Sequence, residues 1–455
     1  MKRLAFVVAT MMMAVPCFAA GTVGKPTAIE LTIYNQNFAL VKEQRQMTLD
    51  QGLNNMAVAD VAATIEPDSV HFKSLDDPNG VVVREQNYQY DVVNSNTILN
   101  KSVGKHIKVR QYYNGQVKEI EGTLLSTPEN GLVIQTANGI VINPGGEIEV
   151  AELPTGLVSR PTLMWLLQAD KGGSQRTEVS YLANQMTWQA DYVAVVDPLD
   201  KYVDLTGWVT LDNKSGATFA NATLNLMAGD VHRVQEDQKL LYERAMPAAA
   251  MRADESQFTE KSFFEYHLYT MKDKTTVKDK ESKQVSLLAA NRIPAKKMYV
   301  YDGARNAKKV NVLMEIVNSK DNNLGMPLPK GKVRVYKQDP DTNQHFIGED
   351  MIDHTPKDEK LRLYLGDAFD IVGERKQMTD RVISDREREY SFEITLRNHK
   401  TLPVTVVVTE HIWGDWKITQ SSHKYTKKDA TTVEFAVEVP KDGEVKVTYT
   451  DRVKW

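Results

Sequence analysis

At 455 residues the chain can hold roughly two to four domains, each with a core of its own. Its 42% hydrophobic and 25% charged residues are ordinary for a globular protein. Lys plus Arg number 56 against 60 Asp plus Glu, a balance that argues against a nucleic-acid-binding body and a polyionic partner.

The first stretch, MKRLAFVVATMMMAVPCFAAG, reads as a signal peptide over residues 1–19. Lys2 and Arg3 form a positive n-region, Leu4 to Val15 is apolar apart from Thr10, and small residues set cleavage after Ala19 or Ala20. The apolar run is about half of the 20 or so residues that a membrane span needs. A lipoprotein acylated at Cys17 is disfavoured, because Pro16 stands where a small residue belongs. Cleavage removes Lys2 and Arg3, leaving 54 basic residues against 60 acids and a net charge of −6. It also removes the one cysteine, so no disulfide, cysteine-held metal or thiol nucleophile is expected. No later stretch approaches spanning length. The mature chain is expected in the periplasm or secreted, without a transmembrane segment.

Residues 25–95 read as an N-terminal β domain in which IELTIYNQNFALVKEQRQMTL supplies two strands about Asn35-Gln36-Asn37. Residues 96–153 carry turn signals at Asn114-Gly115, Glu129-Asn130-Gly131, Asn138-Gly139 and Gly145-Gly146. Five or six short strands between them predict a small closed barrel of SH3-like size. Residues 156–320 read as a central β-sandwich, with a hairpin over YVDLTGWVTLDNKSGATFANATLNLMAGD and a mobile loop near 235–262. The best helix candidate is short, Val234 to Arg244, beside that loop.

The segment SFFEYHLYTMKDKTTVKDKESKQVSLL, 262–288, predicts a strand, a wet connection and a return strand. Phe264, Tyr266 and Leu268 share one face of the first strand. The connection interleaves five lysines with three acids, signs that cancel within a Debye length of roughly 10 Å.

Residues 321–455 read as a C-terminal immunoglobulin-like β-sandwich. YSFEITLRN, TTVEFAVEV and GEVKVTYTD alternate strictly, setting Ile394, Leu396, Val433, Phe435, Val437, Val447 and Tyr449 inward. The fold class is therefore mainly β, as several small antiparallel domains.

Several segments in chain order resemble a bacterial family, the domain of unknown function numbered 4139. They are YNQNFALVKEQR, NQMTWQADYV at 184–193, GWVTLDNKSGATFANATLNLMAGD at 207–230, and EYHLYT with KQVSLL. LPKGKVRVY, IGED and RLYLGDAFDIVGERK complete the set. The resemblance implies an exported, β-rich envelope protein, and it implies no reaction and no catalytic residues.

Tests for specific chemistry return structural readings. GMPLPKGKV has five residues between Gly325 and Gly331 where a P-loop has four, and Val333 where Ser or Thr must meet magnesium. DPDTNQHFIGED lacks both the glycine and the bidentate glutamate of a calcium loop, so it reads as a polar hairpin turn. His345 and His354 bracket Glu349, Asp350 and Asp353, a spacing that would allow a strand-borne zinc site, though surface histidines are the favoured reading. No metal or other cofactor is expected.

The most interesting local cluster is EHIWGDW. His411, Trp413 and Trp416 surround a turn at Gly414-Asp415, a pattern that suits weak partner binding through indoles at a sheet edge. The competing reading is a tryptophan plugging the end of the sandwich core. The expected function is a non-catalytic envelope scaffold that binds a protein or glycan. The alternative is a hydrolase of envelope polysaccharide or peptide whose site is assembled from distant strands, and the balance leans away from an enzyme.

Overall fold

The computed structural model describes residues 22–90, 93–113, 116–127, 131–152, 154, 157–158, 160–233 and 258–455. The proposed signal peptide, Cys17, the helix at 234–244 and most of the loop near 235–262 lie outside the described residues. The chain forms two compact units made of interleaved segments. One holds residues up to Thr187, Asp212–Asn225 and Lys274–Glu281; the other holds Trp188–Leu211, Leu226–Asp273 and Ser282–Trp455.

The first unit begins with β1 (Thr22–Tyr34) and β2 (Phe38–Leu49), an antiparallel hairpin closed at Asn37 in the left-handed region, φ 65°. Asparagine tolerates that conformation, which is why the NQN signal predicts the turn. Next come β3 (Gly52–Ala59), β4 (His71–Ser74) and β5 (Val81–Gln89). A short helix, Ser95–Asn100, follows, capped by the Asn94 side chain accepting from the Thr97 N–H at 2.9 Å. β6 (His106–Tyr113), β7 (Gln116–Ser126), β8 (Val133–Thr136), β9 (Gly139–Ile142) and β10 (Glu147–Val150) make a five-stranded sheet. β11 (Thr162–Ala169) then pairs with β3 and β5, and β12 (Gly173–Asn184) pairs with β2 and β4.

The barrel expected over 96–153 does not close. Its sheet runs β10-β6-β7-β8-β9, and the edge strands β9 and β10 have four residues each. It curls over Leu99, Ile107, Val109, Leu124, Leu132 and Ile134 instead. Such short edges carry too few ladder bonds to seal a barrel. The Asn138-Gly139 turn is present, with Gly139 at φ 134°. The turn at Asn114-Gly115 and most of that at Glu129-Asn130-Gly131 lie outside the described residues.

From Met186 the strands are β13 (Met186–Val196), β14 (Tyr202–Asn213), β15 (Phe219–Ala228), β16 (Phe258–Phe263) and β17 (Tyr266–Met271). They continue with β18 (Thr275–Val277), β19 (Glu281–Tyr301), β20 (Lys309–Val317), β21 (Gly331–Gln338) and β22 (Gln344–Ile352). The last are β23 (Lys360–Ser384), β24 (Glu387–Asn398), β25 (Val404–His411), β26 (Asp415–Ser421), β27 (Tyr425–Lys427), β28 (Thr432–Val439) and β29 (Gly443–Lys454).

The chain is mainly β, but β13 pairs with β21 in parallel, as β19 does with β25. The partners lie too far apart in sequence for a tight turn to join them, so alternation within each strand says nothing of their direction. The hairpin expected over 202–230 is also different, because β14 and β15 run in different sheets. Buried Asn213 pins the connection, donating to the Ala217 carbonyl at 2.9 Å and accepting from the Ser215 N–H at 3.0 Å. The strand expected through Phe263–Tyr269 is likewise a hairpin, β16 with β17, turning at exposed Phe264 with φ 57°. No Gly, Asn or Asp marks that turn, so no local signal announces it.

The final sandwich sets β20, β23, β24, β29 and β26 against β25, β28 and β27. Ile394, Leu396, Val433, Phe435, Val437, Val447 and Tyr449 fill its core, as their alternation predicts. Among the described residues, no helix is long and apolar enough to cross a membrane.

Candidate functional site

Three places in the second unit gather chemically capable side chains. The first is the EHIWGDW turn. Trp413 is 71% exposed, beside Gly414 at φ 90°. Trp416 is half-buried against the sandwich core, its indole N–H donates to the Ala430 carbonyl at 2.6 Å, and the Lys427 ammonium sits 4.3 Å above its ring. Trp416 thus plugs the end of the core, while Trp413 faces water. His411 parts company with both: its Nε2 lies 3.0 Å from an Asp302 carboxylate oxygen, and its side chain is mostly covered.

The second is a buried network one residue upstream. Glu410 is 1% exposed and accepts from Arg375 Nε through both carboxylate oxygens, at 3.1 and 2.9 Å, and from the Tyr449 hydroxyl. Strand alternation puts Glu410 inward from β25 beside Val406 and Val408. The Arg375 guanidinium lies 3.9 Å from the Phe392 ring, and Phe392 stacks on Tyr449. Gly373 makes room for this arrangement, since a Cβ there would stand 2.3 Å from the Tyr301 ring.

Burial raises the Glu410 carboxyl above its ordinary range despite the pull of Arg375. Burial also raises the Tyr449 hydroxyl, further helped by Glu410, and pushes Tyr301 up to about 12. Asp451 is the unusual member. It is 2% exposed, its Oδ1 meets no hydrogen-bond partner, and burial first, then Glu410, pushes it up to about 6. The sequence conceals all of this, because Arg375, Glu410 and Asp451 sit on β23, β25 and β29, far apart along the chain.

The third place unites distant segments. Trp188 and Tyr192 of β13 are buried; the indole N–H of Trp188 donates to the Met227 carbonyl at 3.2 Å. The Tyr192 and Tyr269 hydroxyls donate to the Pro329 and Pro327 carbonyls at 2.8 and 3.0 Å. Lys330 pairs with Asp230 at 3.3 Å, and its backbone N–H donates to His354 Nδ1 at 3.2 Å. Burial, then Lys330, lowers the proton affinity of His354, and its Nε2 has no hydrogen-bond partner. His267 is held by Glu260 at 2.7 Å across the β16–β17 hairpin.

The zinc site considered for His345 and His354 is not formed. His345 pairs with Asp339 at 3.1 Å at one end of β22, and His354 lies past its other end. Nine residue steps of largely extended chain separate them by roughly 30 Å. Asp339 instead closes the polar turn between β21 and β22, accepting from the Asn343 N–H at 2.9 Å. Among the described residues, no group of three or more His, Cys, Asp or Glu could hold a metal ion.

Trp188, Tyr192, Met227, Asp230, His267, Tyr269, Pro329 and Lys330 of the third cluster come from NQMTWQADYV, LMAGD, EYHLYT and LPKGKVRVY, segments that carry the family resemblance; Glu260, Pro327 and His354 lie outside them. A family described as Domain of unknown function (DUF4139) matches residues 177–455, more than half of the chain. The chain belongs to this family. The matched DUF4139 region runs from within β12 to the last strand and includes all three clusters. The five-stranded sheet and the YNQNFALVKEQR hairpin lie outside it. No curated protein matches the chain.

Proposed function

We propose that this DUF4139 protein is exported to the cell envelope, where it serves as a non-catalytic scaffold that binds a glycan or protein partner. The observation that carries the reading is a division of labour among its side chains. The buried acids Glu43, Glu410 and Asp451 are enclosed by their own cores, whereas large aromatics such as Trp413 and Phe264 are held out in water, 71% and 82% exposed. Groups enclosed in this way serve the fold, and exposed rings are what a partner can cover. Export follows from the n-region, apolar run and small residues of positions 1–20.

The test is photo-crosslinking in living cells with the reactive residue at Trp413. Partner recovery is expected, with loss when the neighbouring turn is altered. No captured partner, together with cleavage of isolated envelope polymer by the purified protein, would instead establish the hydrolase.

A further inference from the structure

The ladder between β21 and β22 has a gap that side chains fill. Its last regular pair is Gly331 with Ile352, and Leu328 and Thr355 then exchange two backbone bonds at 2.9 Å in the same register. Pro329 and Lys330 stand in the gap, in register with His354 and Asp353. Pro329 has no N–H, and its carbonyl accepts from the buried Tyr192 hydroxyl at 2.8 Å. The Lys330 N–H donates to His354 Nδ1 at 3.2 Å. An imidazole therefore stands where the regular ladder uses a carbonyl.

That bond fixes the tautomer. A backbone N–H can only donate, so Nδ1 presents its lone pair and the neutral ring holds its hydrogen on Nε2. Nε2 is buried and meets no hydrogen-bond partner among the described residues. A proton added to the ring goes to Nδ1. Two donors then face each other, and the Lys330 N–H loses its acceptor. A carbonyl cannot be disabled in this way, whereas an imidazole changes charge between pH 5 and 8.

We propose that His354 is an acid-sensitive latch, closing the join of β21 and β22 when neutral and opening it when protonated. The proposal goes beyond the envelope-binding reading and does not depend on it. Charged groups from each neighbouring element bear on the ring. Lys330 leads into β21 and pairs with Asp230, past the end of β15, at 3.3 Å. Asp353 precedes the ring along the chain, and His267 of β17 is held by Glu260 of β16 at 2.7 Å.

Burial first, then Lys330, then His267 oppose a proton on His354, and they outweigh the pull of Asp230 and Asp353. The folded chain thus binds this proton less tightly than the unfolded chain, whose histidine has the ordinary value of 6.5. The contribution of the latch is full above that pH and is lost as pH falls through the lower folded value. Buried Asn318 still ties Met326 to Pro356, donating to their carbonyls at 2.8 and 2.9 Å, which bounds the opening on its far side. The Leu328–Thr355 bridge lies between that tie and the gap, so its two bonds are the ones that opening exposes.

The experiment is hydrogen–deuterium exchange on the purified protein from about pH 7.5 to about pH 4.5, with labelling times scaled for intrinsic exchange. Peptides holding Leu328, Lys330 and Thr355 are followed. Their protection is expected to be constant above the ordinary histidine value and to fall below it by up to about tenfold per pH unit. His354→Asn keeps an acceptor oxygen near the position of Nδ1 and takes up no proton in this range, so its peptides should hold their protection throughout. His354→Ala has no acceptor and should lose protection at every pH. Nitrogen NMR of the imidazole, assigned by its absence from His354→Asn, should find the hydrogen on Nε2 at about pH 7.5.

The proposal falls if the parent and His354→Asn lose protection alike on acidification, or if His354→Ala is as protected as the parent at about pH 7.5. It falls equally if the neutral ring carries its hydrogen on Nδ1.

Discussion

Asp451 shows how a single buried carboxyl can set a pH dependence. Its charged neighbours are Glu410 on β25 and, two strands away in its own sheet, Arg375, whose Nε is taken by both oxygens of Glu410; Tyr449 stands two residues before it on β29. A carboxyl with an unpartnered oxygen at such depth is favoured in its protonated form. Its folded-state pKa of about 6 lies above the ordinary 3.8, so the folded chain binds the proton more tightly than the unfolded chain. This contribution is therefore full below about pH 4 and is lost as pH rises through 6. The gap is worth about 3 kcal/mol at 1.36 kcal/mol per pH unit. Asp451→Asn should stabilise the protein above pH 7 by up to about that amount and flatten the slope of stability between pH 4 and 7. Urea unfolding at a series of pH values checks it, and an unchanged slope would refute it.

Glu43 and Arg45 of β2 illustrate the opposite case, a buried pair that is satisfied. Arg45 donates to one Glu43 oxygen at 2.9 and 2.6 Å, and both side chains are almost fully covered. Arg45→Met should cost about 3–5 kcal/mol because it strands the carboxylate. Adding Glu43→Leu should restore most of the loss. If the double variant unfolds as easily as the single one, the pairing account is wrong.

At the scale of elements, the hairpin of β23 and β24 presents the sharpest design problem. The β20 partner of β23 ends at Val372, and Lys376–Val382 and Ser384 are exposed. Among the described residues no strand pairs with that stretch on its outer side, and an open edge of such length invites pairing with another chain. Two bulges interrupt it, at Met378 between Gln377 and Thr379 and at Ile383 between Val382 and Ser384. Each bulge bends the strand and breaks the regular outer ladder. Deleting Met378 and Ile383 together should regularise the edge and promote self-association, seen as a rise in light scattering and in apparent mass on sizing. Monomeric behaviour after both deletions would show that the bulges do not protect the edge.

Most strands were legible at this scale. Val433, Phe435 and Val437 alternate with Glu434 and Glu438, and burial follows that period residue by residue. The β16–β17 turn was not legible, because Phe264 occupies a left-handed position that a bulky residue adopts only at a cost of about 1–2 kcal/mol. Local propensity points elsewhere, and the surrounding strands override it.

At the scale of the molecule, the interleaving of segments has a consequence for dissection. The first unit needs Asp212–Asn225 and Lys274–Glu281 in addition to residues up to Thr187. Phe219 of β15, 1% exposed, pairs with Val277 of β18, and Asn213 ties both to their connection through the Val277 and Lys278 carbonyls. A chain cut after Thr187 loses these residues and the apolar area they bury. Such a fragment should lack cooperative melting and near-ultraviolet circular dichroism, whereas the full chain should show both. A sharply melting fragment would mean that the later segments only decorate a self-sufficient core.

The order of residues alone determined the mainly β class, the hairpin at Asn37, the inward rings and aliphatics of the last strands, and the family resemblance. These depend on short-range properties: a period of two, a turn residue that tolerates positive φ, and the identity of contiguous segments. Tertiary structure decided the open edge of the five-stranded sheet, the parallel pairings of β13 with β21 and of β19 with β25, the inward turn of His411, and the meeting of Arg375, Glu410 and Asp451. Each of these joins residues separated by tens of positions, and strand alternation tells which face a side chain takes but not which strand will lie beside it.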